Sequence, residues 1–155
     1  MNELRCSVLI IEDGDEYLDN LTRYVPGPRY LQAHHGEAAA TLLAEAQVDL
    51  LYLDMRFDRI APEQLWGDLA ALTQKYAGNA RRAQRHLANH QGTYILDGLH
   101  QRGLADLPII LAYDFSREQR RFEQLLRRYA QLTWVPDAVT PEEIRDRIRR
   151  LAGAR

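Results

Sequence analysis

The chain of 155 residues is short of several things. It holds one cysteine, Cys6, so an intrachain disulfide and a cysteine zinc cluster are excluded, and a small apolar strand residue is that thiol's ordinary role. It holds one lysine, Lys75, so any chemistry that needs a lysine must use that residue. No run approaches the roughly 18 apolar residues of a membrane span. The N-terminal MNELRCSVLIIED turns acidic directly after its apolar stretch, unlike a secretory leader, so a cytoplasmic location is expected. A basic excess is missing too: 20 Lys and Arg stand against 22 Asp and Glu, a formal charge of −2, which argues against dedicated nucleic-acid binding. There is no glycine-rich phosphate loop, no nucleophile elbow and no second set of metal ligands, and each absence counts against an enzyme.

What is present is an alternation. Ser7 to Ile11 is a short, β-branched, nearly all-apolar run of the kind covered on both faces, and it stops at Glu12-Asp13-Gly14-Asp15. Tyr17, Leu18, Leu21 and Tyr24 recur at helical spacing, and Pro26-Gly27-Pro28 closes that segment before a second strand at Tyr30 to Ala33. Gly36 to Gln47 is strongly helix-forming, and Asp49 to Leu53 is another buried-type strand ending on Asp54. Pro108 to Tyr113 reads as a fourth strand. Ser116 and Gln119 read as a capping box opening a helix through Tyr129, and Leu132 to Val135 as a fifth strand. Thr140-Pro141-Glu142-Glu143 places an N-cap, an N1 proline and an N3 glutamate at the start of a last helix. Such alternation indicates an α/β fold with a five-stranded parallel sheet between two helical layers, whose sites lie beyond the carboxyl ends of the strands. Glu12, Asp13 and Asp54 all fall there. Taken alone, carboxylates at such positions also serve as helix caps or solvated loop residues.

These pieces resemble the receiver domain of bacterial response regulators. The likeness is carried by VLIIED with the pair Glu12-Asp13, HHGEAAATLL after the second strand, DLLYLDM with Asp54, ADLPIILAY for the fourth strand and VTPEEIRDRIRRL for the last helix. It covers residues 5 to 152 except for one block: Asp54 and Gly92 enclose 37 residues where the family has a short loop. The resemblance implies a flavodoxin-like sheet, Asp54 as the phosphoryl acceptor, and Glu12, Asp13 and Asp54 as the carboxylates around a Mg²⁺ ion. A hard cation of that kind takes oxygen ligands and would offset three crowded anions.

The rest of the site departs from the family. Tyr113 stands where the family carries a Thr or Ser hydroxyl that bonds the phosphoryl group, and a phenol on a rigid ring cannot place its oxygen there. Asp137-Ala138 stands where the family carries Lys-Pro. Two unit charges about 5 Å apart at an effective dielectric near 20 interact by roughly 3 kcal/mol, so replacing a cation by an anion disfavours a phosphoryl group by several kcal/mol if Asp137 points inward. Trp134 aligns with the family's rotameric aromatic, and a fixed packing role is expected for it. Arg56 and Arg59 are placed to neutralise carboxylates, although surface arginines are the ordinary reading, and Lys75 has no positive support as a replacement lysine. The family's Met-Pro after the acceptor has become Phe57-Asp58, so the metal loop is reshaped and Mg²⁺ affinity is expected to be weak or absent.

In the inserted block, about residues 57–91, Leu65, Leu69, Leu72, Tyr76, Ala80, Ala83 and Leu87 follow helical steps. They indicate one long helix from Pro62 to His90, or two broken at Gly78-Asn79. Their apolar stripe needs a cover, either the parent domain or a second chain. Trp66 reads equally as a hinge anchor or a contact surface. Arg81, Arg82, Arg85, His86 and His90 read as a solvated face, with a nucleic-acid patch or a histidine metal pair as weaker alternatives. The arginine-rich last two helices favour charge-steered protein contact. No output domain follows Leu151 in this sequence, so output is expected to run through another protein of a signalling system or a homodimer mate. The function expected is a stand-alone receiver-like interaction module, 1–155, that does not use the ordinary phosphorylation switch. The alternatives are a phosphorylatable regulator using Asp54 and Mg²⁺, and a metal-dependent phosphate-handling enzyme on the same fold.

Overall fold

Apolar residues in the strands alternate between two buried faces, which is what a sheet needs when helices cover both sides. Leu9, Ile11, Leu51, Leu53, Ile109 and Leu111 point to one core, while Val8, Ile10, Leu50, Tyr52 and Ile110 point to the other. A computed structural model describes residues 5–129, 131–136 and 138–153. Its strands are β1 (Ser7–Ile11), β2 (Arg29–Ala33), β3 (Leu50–Asp54), β4 (Ile109–Ala112) and β5 (Leu132–Val135), all parallel, in the order β2-β1-β3-β4-β5. Helix α1 (Glu16–Tyr24) and helix α7 (Pro141–Gly153) cover the second core. Helices α2 (Gly36–Glu45), α5 (Gln91–Gln101) and α6 (Gln119–Arg128) cover the first. This is the doubly wound α/β arrangement expected from the alternation.

The register sets the rim. Ile11 pairs with Leu53, Leu53 with Leu111 and Asp54 with Ala112, so Glu12, Asp54 and Tyr113 all emerge where their strands end.

The inserted block takes the second of its two expected forms, two helices broken at Gly78-Asn79, with one change: a 3-10 turn at Pro62–Gln64 comes first, and α3 (Leu69–Lys75) starts late before α4 (Ala80–Asn89). The break falls where Ala77 and Gly78 take positive φ, 55° and 85°, and helix N-caps from Asp68 and Asn79 restart each piece. Leu65 to Asp68 stay outside any helix. The helix after β4 does not start from a Ser116 cap. The Ser116 N–H bonds Asp114 Oδ1 in a local turn, Phe115 is fully buried, and α6 begins only at Gln119. The last helix opens as expected, with Glu143 N–H donating to Thr140 Oγ1 at 3.2 Å.

The block between β3 and α5 is rooted in the sheet's own core. Phe57, Ala83 and Leu87 are buried, and Phe57 N–H donates to Ala88 O at 2.9 Å. The Trp66 ring lies against two glycines, so that a methyl at Gly36 or Gly98 would sit about 2.5 Å from it, and the Arg102 guanidinium covers it at 4.2 Å. Trp66 is therefore an anchor between α2 and α5. Fully buried Gln91 accepts from Trp66 N–H at 2.7 Å and donates to the carbonyls of Trp66 and Leu87 at 3.0 and 3.1 Å. By contrast, α3 contains no buried residue.

Candidate functional site

The acidic end of β1 is held from several sides. Gln32 Nε2 donates to the carbonyls of Glu12 and Gly14 at 3.2 and 3.0 Å, which fixes the turn out of the strand. Glu12 is 3% exposed and its Oε1 accepts Tyr17 N–H at 3.0 Å. Burial pushes its carboxyl up to about 7. The Tyr17 N–H opposes that shift, and the nearby Glu16, Asp54 and Asp13 add to it. At the tip of β3, Asp54 Oδ1 accepts the N–H of its neighbour Met55 at 2.8 Å. Helix α5 packs directly on that tip: Gly92 N–H donates to Met55 O at 2.9 Å, and a methyl at Gly92 would lie 2.4 Å from the Asp54 carbonyl.

Asp13 meets the inserted block. Its Oδ2 accepts Asp58 N–H at 2.8 Å and Arg59 N–H at 3.0 Å, while its Oδ1 lies 3.4 Å from the Arg59 guanidinium. The same guanidinium donates twice to Glu16, at 2.7 and 3.0 Å. The hydrogen bond from Arg59 is the main cause holding the Glu16 carboxyl down to about 2. Gly14, lacking a side chain, leaves room for this bridge. Arg59 is thus half-exposed but engaged with the acidic end, unlike an ordinary surface arginine.

At the end of β4, Tyr113 N–H bonds Val135 O at 3.0 Å, and the phenol turns to α6, donating to Glu118. Glu118 is also paired with Arg121 at 3.2 Å, and the Arg121 guanidinium lies over the Tyr113 ring at 5.6 Å. That hydrogen bond, followed by burial, raises the Tyr113 hydroxyl above its ordinary value. Arg121 also donates to His90 Nδ1 at 2.9 Å, the His86 ring lies tilted against His90 at 4.5 Å, and Tyr76 OH is 3.1 Å from His86 Nδ1. Burial, then the Arg121 charge, depresses the His90 pKa. Trp134, half-buried in β5, packs on the first core with its ring edge-on to Phe115 at 6.1 Å. Asp137 lies outside the described residues. Lys75 is exposed in the last turn of α3.

Solved structures with this arrangement span nearly the whole chain. The receiver domain of the Francisella response regulator 1452 is 14% identical with a TM-score of 0.64, covering 96% of this chain and 98% of its own. A CheY-like receiver domain from Methanospirillum hungatei is 12% identical with a TM-score of 0.63, covering 96% and 94%. The signal receiver domain of a histidine kinase from Syntrophus aciditrophicus is 16% identical with a TM-score of 0.62, covering 96% and 91%. The chain has the receiver fold. No protein-family model and no curated protein matches the sequence.

Within the receiver fold, the three carboxylates expected around Mg²⁺ do not form one ligand cage. Asp13 Oδ2 is taken by two backbone N–H groups, a guanidinium stands against Oδ1, and Glu12 holds its proton up to about 7. Among the described residues no three His, Cys, Asp or Glu side chains converge as metal ligands, which covers His86 and His90 as well. The residues that shape the site and carried no signal in the sequence are Glu16, Gln91, Glu118 and Arg121. Glu16, Gln91 and Arg121 become special through partners distant in the chain, Arg59, Trp66 and His90, whereas Glu118 does so through the nearby Tyr113 and Arg121.

Proposed function

We propose that this chain is a receiver-like signalling module of the cytoplasm that acts by protein–protein contact and does not use the ordinary phosphorylation switch. The observation that supports this reading is the seating of Arg59 on Asp13 and Glu16, with the Asp58 and Arg59 N–H groups on the same carboxylate. A built-in guanidinium supplies positive charge that a receiver otherwise takes from a metal ion, so part of the acidic end is offset without a ligand. Tyr113, bound to Glu118, adds to the case, because the small hydroxyl that would hold a phosphoryl oxygen is absent.

The test is incubation with acetyl phosphate and Mg²⁺ followed by intact-mass measurement. Unmodified protein and no Mg²⁺-dependent rise in melting temperature are expected. Stable incorporation that Asp54→Ala abolishes overturns the reading. Arg59→Ala is the companion variant, and it should gain a Mg²⁺-dependent stabilisation that the wild type lacks.

Asp54 at the tip of β3, beside Glu12 and Asp13 at the end of β1, supports a second reading: a phosphorylatable atypical regulator that uses Asp54 with Mg²⁺. It requires Arg59 to leave Asp13 when the ion arrives. A beryllofluoride complex that forms only with Mg²⁺ would establish it.

A further inference from the structure

The charges of this chain are sorted. Residues 1–68 hold thirteen acidic against five basic side chains, while residues 69–155 hold nine against fifteen. The strand order carries much of that division across the molecule, although α7 packs beside α1 and Glu63 and Asp68 lie at the foot of the inserted hairpin. β2 is one edge of the sheet with α1 and α2 beside it, whereas β5 is the other, reached through α6. On the acidic side Asp15, Asp19, Glu37 and Glu45 are exposed.

The inserted hairpin α3–α4 belongs to the basic side, because His90 at the end of α4 is bonded to Arg121 of α6. From Leu69 to Leu96 the chain contains no carboxylate at all, yet it carries Lys75, Arg81, Arg82 and Arg85, all exposed. Among the described residues none of these four is in a salt bridge, whereas Arg59, Arg121, Arg128 and Arg149 each have a carboxylate partner. Helix α3 has no fully buried residue, and Leu69 at its start is 38% exposed. Apart from Asp68, which caps the start of α3, the hairpin carries one charge sign, and such a surface awaits an anionic partner.

We propose that the partner is a second copy of this chain, paired antiparallel so that each α3–α4 hairpin lies on the α1–α2 side of its mate. Two dipolar bodies in that arrangement satisfy both charged sides at once and close on a two-fold axis, leaving no free end to extend into a filament. Nucleic acid is the less suitable partner: its phosphates would meet the four hairpin cations but also the repulsion of the acidic half. The proposal rests on the reading of the chain as a contact module and names its partner. Phosphate incorporation at Asp54 would overturn the phosphorylation part of that reading and leave the pairing untouched, so the two fail separately.

Sedimentation velocity of the full chain at about 50 mM and about 500 mM salt is the first measurement, because pairing through exposed charges weakens as the screening length shortens. A dimer at low salt, weakened about tenfold or more at high salt, is expected. Charge reversal on the hairpin (R81E, R82E and R85E together) should leave a folded monomer, and so should reversal on the acidic side (D19K, E37K and E45K together). Mixing the two variants should restore the dimer, since each reversed surface then meets its reversed complement. Circular dichroism checks that both variants fold, and all six positions are at the surface. A wild type that stays monomeric at low salt overturns the proposal. So does a dimer that both variants retain, or a mixture that fails to re-form it. Duplex DNA bound by the wild type and lost on hairpin reversal, without dimerisation, would assign the hairpin to phosphate instead.

Discussion

At its root the block between β3 and α5 buries Phe57 in the sheet's own core and packs Ile60, Leu65 and Trp66 against it, with Ala83 and Leu87 of α4 buried beside it, whereas at its tip α3 holds no fully buried residue. The same 37 residues thus divide into a part that the fold needs and a part that it merely carries. The stripe of apolar residues along the block does not distinguish the two, because Leu72 and Leu87 share its spacing while only Leu87 is buried. What separates them is depth: the root reaches α2, α5 and the rim, and the tip packs on α4.

The sharpest way to break this contrast is Trp66→Ala. The ring fills the space between Gly36 and Gly98, so its removal should cost about 3–5 kcal/mol in chemical denaturation. A loss under about 1 kcal/mol would mean that the root is no more than a loop resting on the surface. Gln91→Leu comes next. It leaves one N–H and two carbonyls of the root without their partner, and a cost of about 2–3 kcal/mol is expected from the same measurement.

Glu12 sharpens the contrast through pH, since it lies beneath the carboxylates that the root's Arg59 engages. Its carboxyl is raised in the folded chain to about 7 from an ordinary 4.5. The folded state therefore binds the proton more tightly than the unfolded one. The associated stability is complete below the ordinary carboxylate value and is lost as pH rises through about 7. Glu12→Gln keeps the acceptor for Tyr17 N–H and removes the titration. It should flatten the melting-temperature profile across that window and melt above the wild type at about pH 8. An unchanged slope would show that the carboxyl is better solvated than its burial indicates. The smallest effect belongs to the tip, where Leu69→Ser should shift stability by no more than about 0.5 kcal/mol.

The sheet was legible because strands covered on both faces read as uninterrupted apolar runs, and their ends could be placed to within a residue or two. The break at Gly78 was legible for a similar reason, as a local conformational requirement. The unwinding at Leu65 to Asp68 was not, since helical spacing persists through it. What overrides the periodicity is the fit of Trp66 between two glycines, one 30 residues before it and the other 32 after it in the chain. Ser116 misled in the same way: its capping pattern is sound locally but yields to the burial of Phe115 and the turn closed by Asp114. At the site, Glu12, Asp13 and Asp54 could be found from their position after strands. That Arg59 engages Asp13 could not, because a contact across 46 positions leaves no mark on the residues around either member.

The hydrogen bond from Phe57 N–H to Ala88 O has a consequence for how such a chain can arise. It brings the departing and returning strands of the detour to a single doorway, so everything between them is added without moving β3 or α5. Lengthening a short loop roughly five-fold costs only about 1.4 kcal/mol of closure entropy. The packing of half-buried Trp66 between Gly36 and Gly98 offsets that, which makes this doorway a place where an ancestral loop can grow into an appendage while the sheet beneath keeps its geometry.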